Sequence, residues 1–258
     1  MSNPRPLSRE GAVRPDAFGI EHKGAWFQSI CDVNDFTVSD DQRDLLEEYV
    51  ELLLDWNKKL NLISRQDEPN IWERHILHSA SILFHLSLLS DGRVLDLGTG
   101  GGLPGIPLKI LSPALSLNLI DSVRKKAVAV ADMVEQLSLT DTRIDCGRAE
   151  ELGTRKEFMG KFDYVITRGV ANLKQLAEWS FPFLRLRRPA ARVSSQDQRK
   201  TFINSPALIA MKGGDLEKEI AFARRSSNVR DITITDLTVQ GFQATPNPDR
   251  KAVIVYFN

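Results

Sequence analysis

The chain has 258 residues, 42% hydrophobic and 26% charged, enough for one large domain with a core that needs neither disulfide nor metal. Lys plus Arg equals Asp plus Glu at 34 each, which excludes a generally basic nucleic-acid binder and leaves only local basic patches. The two cysteines, Cys31 and Cys146, lack CxxC spacing and exclude an evident zinc or redox motif. No apolar run reaches the roughly 18 residues of a membrane span.

Residues 1–35 are rich in Pro, Arg and Gly with little periodicity, so a loose, flexible extension is expected. The N-terminal MSNPRP shows no apolar signal core, and a cytoplasmic protein is expected. Ser39 and Gln42 form a capping-box pattern. Leu46, Tyr49, Val50, Leu53, Trp56 and Leu60 follow at helical spacing. A second helix is predicted over 70–89, closing a helical prelude that spans 36–91.

From residue 92 the texture changes to short β-like runs alternating with helices. Strands are predicted at 94–97, 117–120, 142–146, 164–167 and 207–211, with helices at 124–137, 173–184 and 215–225. Two further runs, 231–239 and 252–257, lack a helix between them and suggest a hairpin edge. Such alternation predicts an α/β domain over 92–258 with a mostly parallel sheet covered on both faces. Residues 185–205 are polar and basic without a period, hence a long loop. Arg185, Arg187, Arg188, Arg192, Arg199 and Lys200 crowd it and suit phosphates. A merely solvated loop is the alternative. Arg5, Arg9 and Arg14 of the extension are further candidates.

Residues 94–105, VLDLGTGGGLPG, are the most informative. A buried strand runs into glycines and then a helix, a place where ligands approach backbone closely. Gly100-x-Gly102-x-x-Gly105 fits the dinucleotide pattern, which alone is weak. Asp96 before the first glycine suits a cationic ligand better than a pyrophosphate. The frame that starts at Gly98 meets Leu103 where a third glycine belongs. An acidic strand end followed by Gly98, Gly100 and Gly102 suits the amino-acid end of S-adenosylmethionine, whose ammonium and sulfonium are positive. Asp121 ends the next strand nineteen residues beyond Gly102, where a carboxylate can accept both ribose hydroxyls. A helix cap is its alternative role.

At residues 98–107, GTGGGLPGIP, the chain resembles the bacterial small-subunit ribosomal RNA guanine-N7 methyltransferases, the glucose-inhibited division protein B family. WNKKLNLI (56–63), RHILHS (74–79), LIDS with Lys125 (119–125), RAEE (148–151), ITRGVA (166–171) and MKG (211–213) agree in order. The resemblance covers about residues 40–258. It implies a Rossmann-like class I methyltransferase fold with a seven-stranded sheet, S-adenosylmethionine as cofactor, and 16S ribosomal RNA or a small-subunit particle as partner. It further implies that Gly98 and Leu103 line the methionine end, Asp121 holds the ribose, Ala149 and Glu150 flank the adenine, and Arg168 stands close to the cofactor. Lys125, Arg148, Lys212 and Arg250 match basic positions on the substrate side. The chain departs from the family in its long N-terminal extension, its longer 185–205 stretch, and Gly169 where alanine is common.

Guanine N7 carries a lone pair and no proton, so attack there needs no general base. The four histidines, His22, His75, His78 and His85, all precede the glycine loop, and packing or capping roles are expected for His75 and His78. No metal and no membrane partner is expected, and a monomer is. Two other readings stay open: a nicotinamide-dinucleotide-dependent oxidoreductase using Gly100 to Gly105, and a non-catalytic rRNA-binding assembly factor with the same fold.

Overall fold

The computed structural model describes residues 23–186, 199–242 and 250–258. Helix α1 (Lys23–Val33) and helix α2 (Asp40–Asn57) come first. At the start of α2, Gln42 N–H donates to Ser39 Oγ and Ser39 N–H donates to the Gln42 side chain, the reciprocal cap read from the sequence. The expected looseness through residue 35 does not hold for α1. Its Trp26, Phe27, Ile30 and Cys31 are fully buried, with Trp26 edge-on to Phe242 and Phe27 against Trp72. A helix of eleven residues is marginal in isolation, so its stability comes from this packing, which composition does not reveal.

The helix predicted over 70–89 is composite. A 3₁₀ stretch (Arg65–Asn70) containing Pro69 leads into one π turn (Trp72–Ile76), and only then into helix α3 (Leu77–His85). The chain next enters strand β1 (Leu86–Ser87), which pairs in parallel with β6 (Thr201–Phe202). Residues 201–202 of the expected loop are therefore strand, because a two-residue pairing leaves no period to read. Arg187, Arg188 and Arg192, like Arg5, Arg9, Arg14 and His22, lie outside the described residues.

The main sheet contains β2 (Arg93–Leu97), β3 (Ser116–Asp121), β4 (Thr142–Cys146), β5 (Tyr164–Arg168), β7 (Ala207–Gly213), β8 (Val229–Asp236) and β9 (Arg250–Phe257). Its order is β4-β3-β2-β5-β7-β9-β8, and only β9 runs antiparallel to its neighbours. Helices α4 (Gly105–Leu111), α5 (Arg124–Gln136), α6 (Ala149–Leu152), α7 (Leu173–Ser180) and α8 (Glu217–Ala223) connect the strands. The α7 helix ends earlier than predicted, turning 3₁₀ at Phe181–Phe183 around Pro182. Side chains of β2 alternate between two cores. Val94 joins the core beneath α1–α5, and Leu95 and Leu97 join the one beneath α6–α8. Chain order reverses between β2 and β5, so the carboxyl ends of these strands flank the switch point at which open α/β sheets bind ligands. Among the described residues no helix is long and apolar enough to cross a membrane.

Candidate active site

The glycine loop leaves β2 with Gly98, Gly100 and Gly102 at φ of +74°, +58° and +94°, conformations that L side chains rarely adopt. Gly98 N–H and Thr99 N–H both donate to Ile120 O at 2.9 and 3.0 Å, pinning the loop to β3. A Cβ at Gly105 would stand 2.4 Å from Leu119 and 2.7 Å from Asp96 Oδ2, so only glycine lets α4 seat this close. Tyr49 of α2 reaches across, its hydroxyl donating to Gly101 O at 2.8 Å.

Asp96 is fully buried. Its Oδ2 accepts from Thr99 Oγ1 at 2.8 Å and from Gly105 N–H at 2.9 Å. Its Oδ1, also buried, has no partner among the described residues. Burial pushes its carboxyl up to about 6, against the hydrogen bonds from Thr99 and Gly105 and the charge of Arg168. This arrangement bears on the dinucleotide reading. A carboxylate already occupies the first turn of α4, the place where a pyrophosphate would have to sit. An orphaned anionic oxygen at a glycine cradle instead fits a cationic group, and the ammonium of S-adenosylmethionine has that chemistry.

Asp121, at the end of β3, is nearly buried. Oδ2 accepts from Gly100 N–H at 3.0 Å and Oδ1 from Val123 N–H at 2.8 Å. The helix cap itself is Val123, which makes no side-chain cap bond. Each carboxylate oxygen keeps a further lone pair for a ligand hydroxyl. Beside it opens a cleft lined by Gly98, Asp121, Arg148, Ala149 and Glu150, five of the positions singled out in the sequence. Gly147, Val170 and Trp179 also line it. Sequence reading missed them as site residues. Val170 lies inside the quoted ITRGVA motif, whereas Trp179 on amphipathic α7 reads only as packing. Leu103 does not line this cleft; it is buried with the helical-prelude core. Lys125 is exposed on the first turn of α5.

Arg168 ends β5, and its Nη2 lies 2.8 Å from His75 Nδ1, 93 residues away in sequence. A guanidinium has only donors, so His75 is neutral and Nδ1 accepts. The ring proton sits on Nε2, which stands 3.5 Å from Asp67 Oδ2. Burial, and next the charge of Arg168, push His75 down to about 4. Asp67 also pairs with Arg74 at 2.5 Å. The packing role expected for His75 is thus joined by a polar one. The π turn brings it there, an irregularity common at functional sites. Arg250 begins β9 opposite Gly213, at the same edge of the sheet. Its Nη1 donates to Glu73 O at 3.2 Å, and burial pushes it down to about 10. Lys212 points elsewhere, to Ala171 O and Glu219. The described members of the basic stretch meet protein groups: Arg185 donates to Lys161 O, Arg199 pairs with Asp35, and Lys200 lies over the Phe36 ring.

A seven-stranded sheet with one antiparallel strand, an acidic β2 end, a glycine cradle and an acidic β3 end define a Rossmann-like class I methyltransferase. An O-methyltransferase from Bacillus cereus, solved in complex with SAH, shares this fold with a TM-score of 0.50 at 18% identity, over 92% of this chain and 99% of that one. The family described as rRNA small subunit methyltransferase G matches residues 42–245. Ribosomal RNA small subunit methyltransferase G of Alkaliphilus metalliredigens is 33% identical over 84% of this chain and 89% of its own length. That of Porphyromonas gingivalis is 36% identical over 76% and 80%. The chain belongs to the GidB family of small-subunit ribosomal RNA methyltransferases.

Proposed function

We propose that this protein transfers a methyl group from S-adenosylmethionine to N7 of a guanine in 16S ribosomal RNA. The observation that carries the cofactor half is the buried, unpartnered Oδ1 of Asp96, two residues ahead of the positive-φ Gly98 that opens the glycine loop. When bound, S-adenosylmethionine supplies an electrophilic methyl on a sulfonium. The chain's own residues bind and orient. Gly98 and Gly100 admit the ligand to the backbone, Asp96 opposes the positive amino-acid end, Asp121 takes the ribose hydroxyls, and Ala149 and Glu150 flank the base. Arg168, fixed by His75, borders the acceptor side with Arg250, and Arg148 at the cleft mouth suits a backbone phosphate.

The acceptor half rests on His75. Its one lone pair is engaged by Arg168, so it is not available to take a proton from a substrate. An acceptor with no proton to lose suits such a site, and guanine N7 is one. Catalysis then comes from alignment and exclusion of water. Because N7 lies on the Hoogsteen edge, the base has to be unstacked to present it.

Labelled methyl transfer to unmethylated 16S RNA, naked and as the small-subunit particle, tests this. The expected product nucleoside is 7-methylguanosine, and the better substrate of the two identifies the form recognised. Label on another atom overturns the N7 assignment. Binding of the RNA with no transfer at all favours the assembly-factor reading. Asp121→Ala is expected to weaken S-adenosylmethionine binding about tenfold or more, since it removes charged hydrogen bonds and the anchor of Gly100. Unchanged affinity removes Asp121 from the ribose role.

A further inference from the structure

Lys212 sits near the end of β7, and its ammonium faces inward. Nζ donates to Ala171 O at 2.7 Å and to Glu219 Oε1 at 2.6 Å. The same Oε1 accepts from Leu173 N–H at 2.5 Å. One ion pair therefore ties both ends of a short strap, residues 171–173, that leads from β5 into α7. Side-chain exposures of 15% for Lys212 and 25% for Glu219 leave the ammonium poorly placed to meet a phosphate.

Just ahead of the tied segment come Gly169 and Val170. Gly169 has φ of +67° and open space where a Cβ would stand, so this corner has no side chain of its own to pack it. Val170 lies against the glycine loop: a Cβ built on Gly98 would stand 2.5 Å from Val170 Cγ2. Gly98 and Val170 both line the cleft of Asp121 and Ala149. A glycine corner with no packed side chain, followed by a strap tied at both ends, makes the position of Val170 depend on the clamp.

We propose that Lys212 is a positioning residue of the cofactor cleft: with Glu219 it fixes residues 171–173 so that Val170 stays against Gly98 as one wall. This rests on the cleft being the S-adenosylmethionine site, and it moves Lys212 from the RNA side of the protein to the cofactor side.

Calorimetric titration of the RNA-free protein with S-adenosylhomocysteine tests it. Lys212→Met is expected to weaken binding about tenfold and Val170→Ala about fivefold, the losses of a charged hydrogen bond and of an apolar contact. The double variant should bind no more weakly than Lys212→Met alone, because the lysine acts through the valine. Lys212→Arg should recover most of the affinity. RNA binding by Lys212→Met should keep the wild-type dependence on salt. Unchanged affinity in Val170→Ala, or losses that simply add in the double variant, overturns the proposal. So does a salt dependence shallower by about one in slope, which marks a lost phosphate contact. Glu219→Gln keeps an acceptor for Leu173 and carries the same test if Lys212→Met does not fold. Asp121→Ala separates the two levels: if it too binds normally, the cleft is not the cofactor site, whereas weak binding there with normal binding in the clamp variants refutes the clamp alone.

Discussion

Asp96 combines a structural and a ligand-binding demand in one carboxylate. Oδ2 holds Thr99 and Gly105 and so sets the entry of α4, while Oδ1 is left bare in the interior. Its carboxyl is raised from 3.8 to about 6. Over that window the folded chain keeps a proton that the unfolded chain has lost. Stability from this group therefore falls as pH rises through the window, by up to about 3 kcal/mol. A bound cation reverses the preference, since it favours the ionised form. Asp96→Asn keeps the acceptor for Thr99 and Gly105 and removes the charge. It is expected to melt higher than the parent at pH 8 without ligand, yet to bind S-adenosylmethionine about thirtyfold more weakly. The parent's affinity should also decline below about pH 6 and the variant's should not. A variant that binds with parental affinity at pH 8 would remove Asp96 from the cofactor's side. This residue was legible in the sequence because its role is local: strand end, glycines and carboxylate adjoin in the chain. The His75–Arg168 and Lys212–Glu219 contacts were not, since their partners are brought together only by the fold.

The elements divide along the same line. Helix α2 announces itself through a cap and a five-residue apolar stripe from Leu46 to Trp56, and the inner strands of the sheet through short apolar runs. Helix α1 and the β1–β6 pair do not, because neither carries enough local signal to outweigh composition. For α1 the decisive quantity is burial. Trp26 is 0% exposed and packs edge-on to Phe242, and Gly24 lets α1 approach α2 so closely that a Cβ there would meet the Glu47 carboxylate. Trp26→Ala is expected to cost about 3–5 kcal/mol, the range for emptying an aromatic site in a core. Urea unfolding measures it. A loss under about 1 kcal/mol would mean that α1 is dispensable to the fold, as a loose extension would be.

For the whole molecule the helical prelude and the sheet are joined through neutral imidazoles. His75 meets Arg168 at the end of β5 and His85 meets Thr238 O after β8, while His78 keeps a buried, unpartnered Nε2 within the fields of Arg250 and Arg168. Burial lowers all three, His75 to about 4 and His78 well below its ordinary 6.5. The cations around this seam, Arg74, Arg168, Arg250 and Lys200, oppose protonation, while Asp67 and Asp236 favour it. A depressed folded pKa means that the unfolded chain takes up protons the folded chain refuses. The stability these groups contribute is present above about pH 6.5 and is lost as pH falls toward about 4. Asp96 works in the opposite direction over an overlapping window, but it is one group against three. The melting temperature should therefore drop between about pH 6.5 and pH 4.5. Replacing His78 with Gln, which needs no proton and carries no charge, should flatten the drop. Asp96→Asn should steepen it, by removing the carboxyl that gains on acidification. Calorimetric melting at stepped pH decides the matter. A melting temperature level across that range in the parent protein would show that the prelude is not held to the sheet by its uncharged histidines.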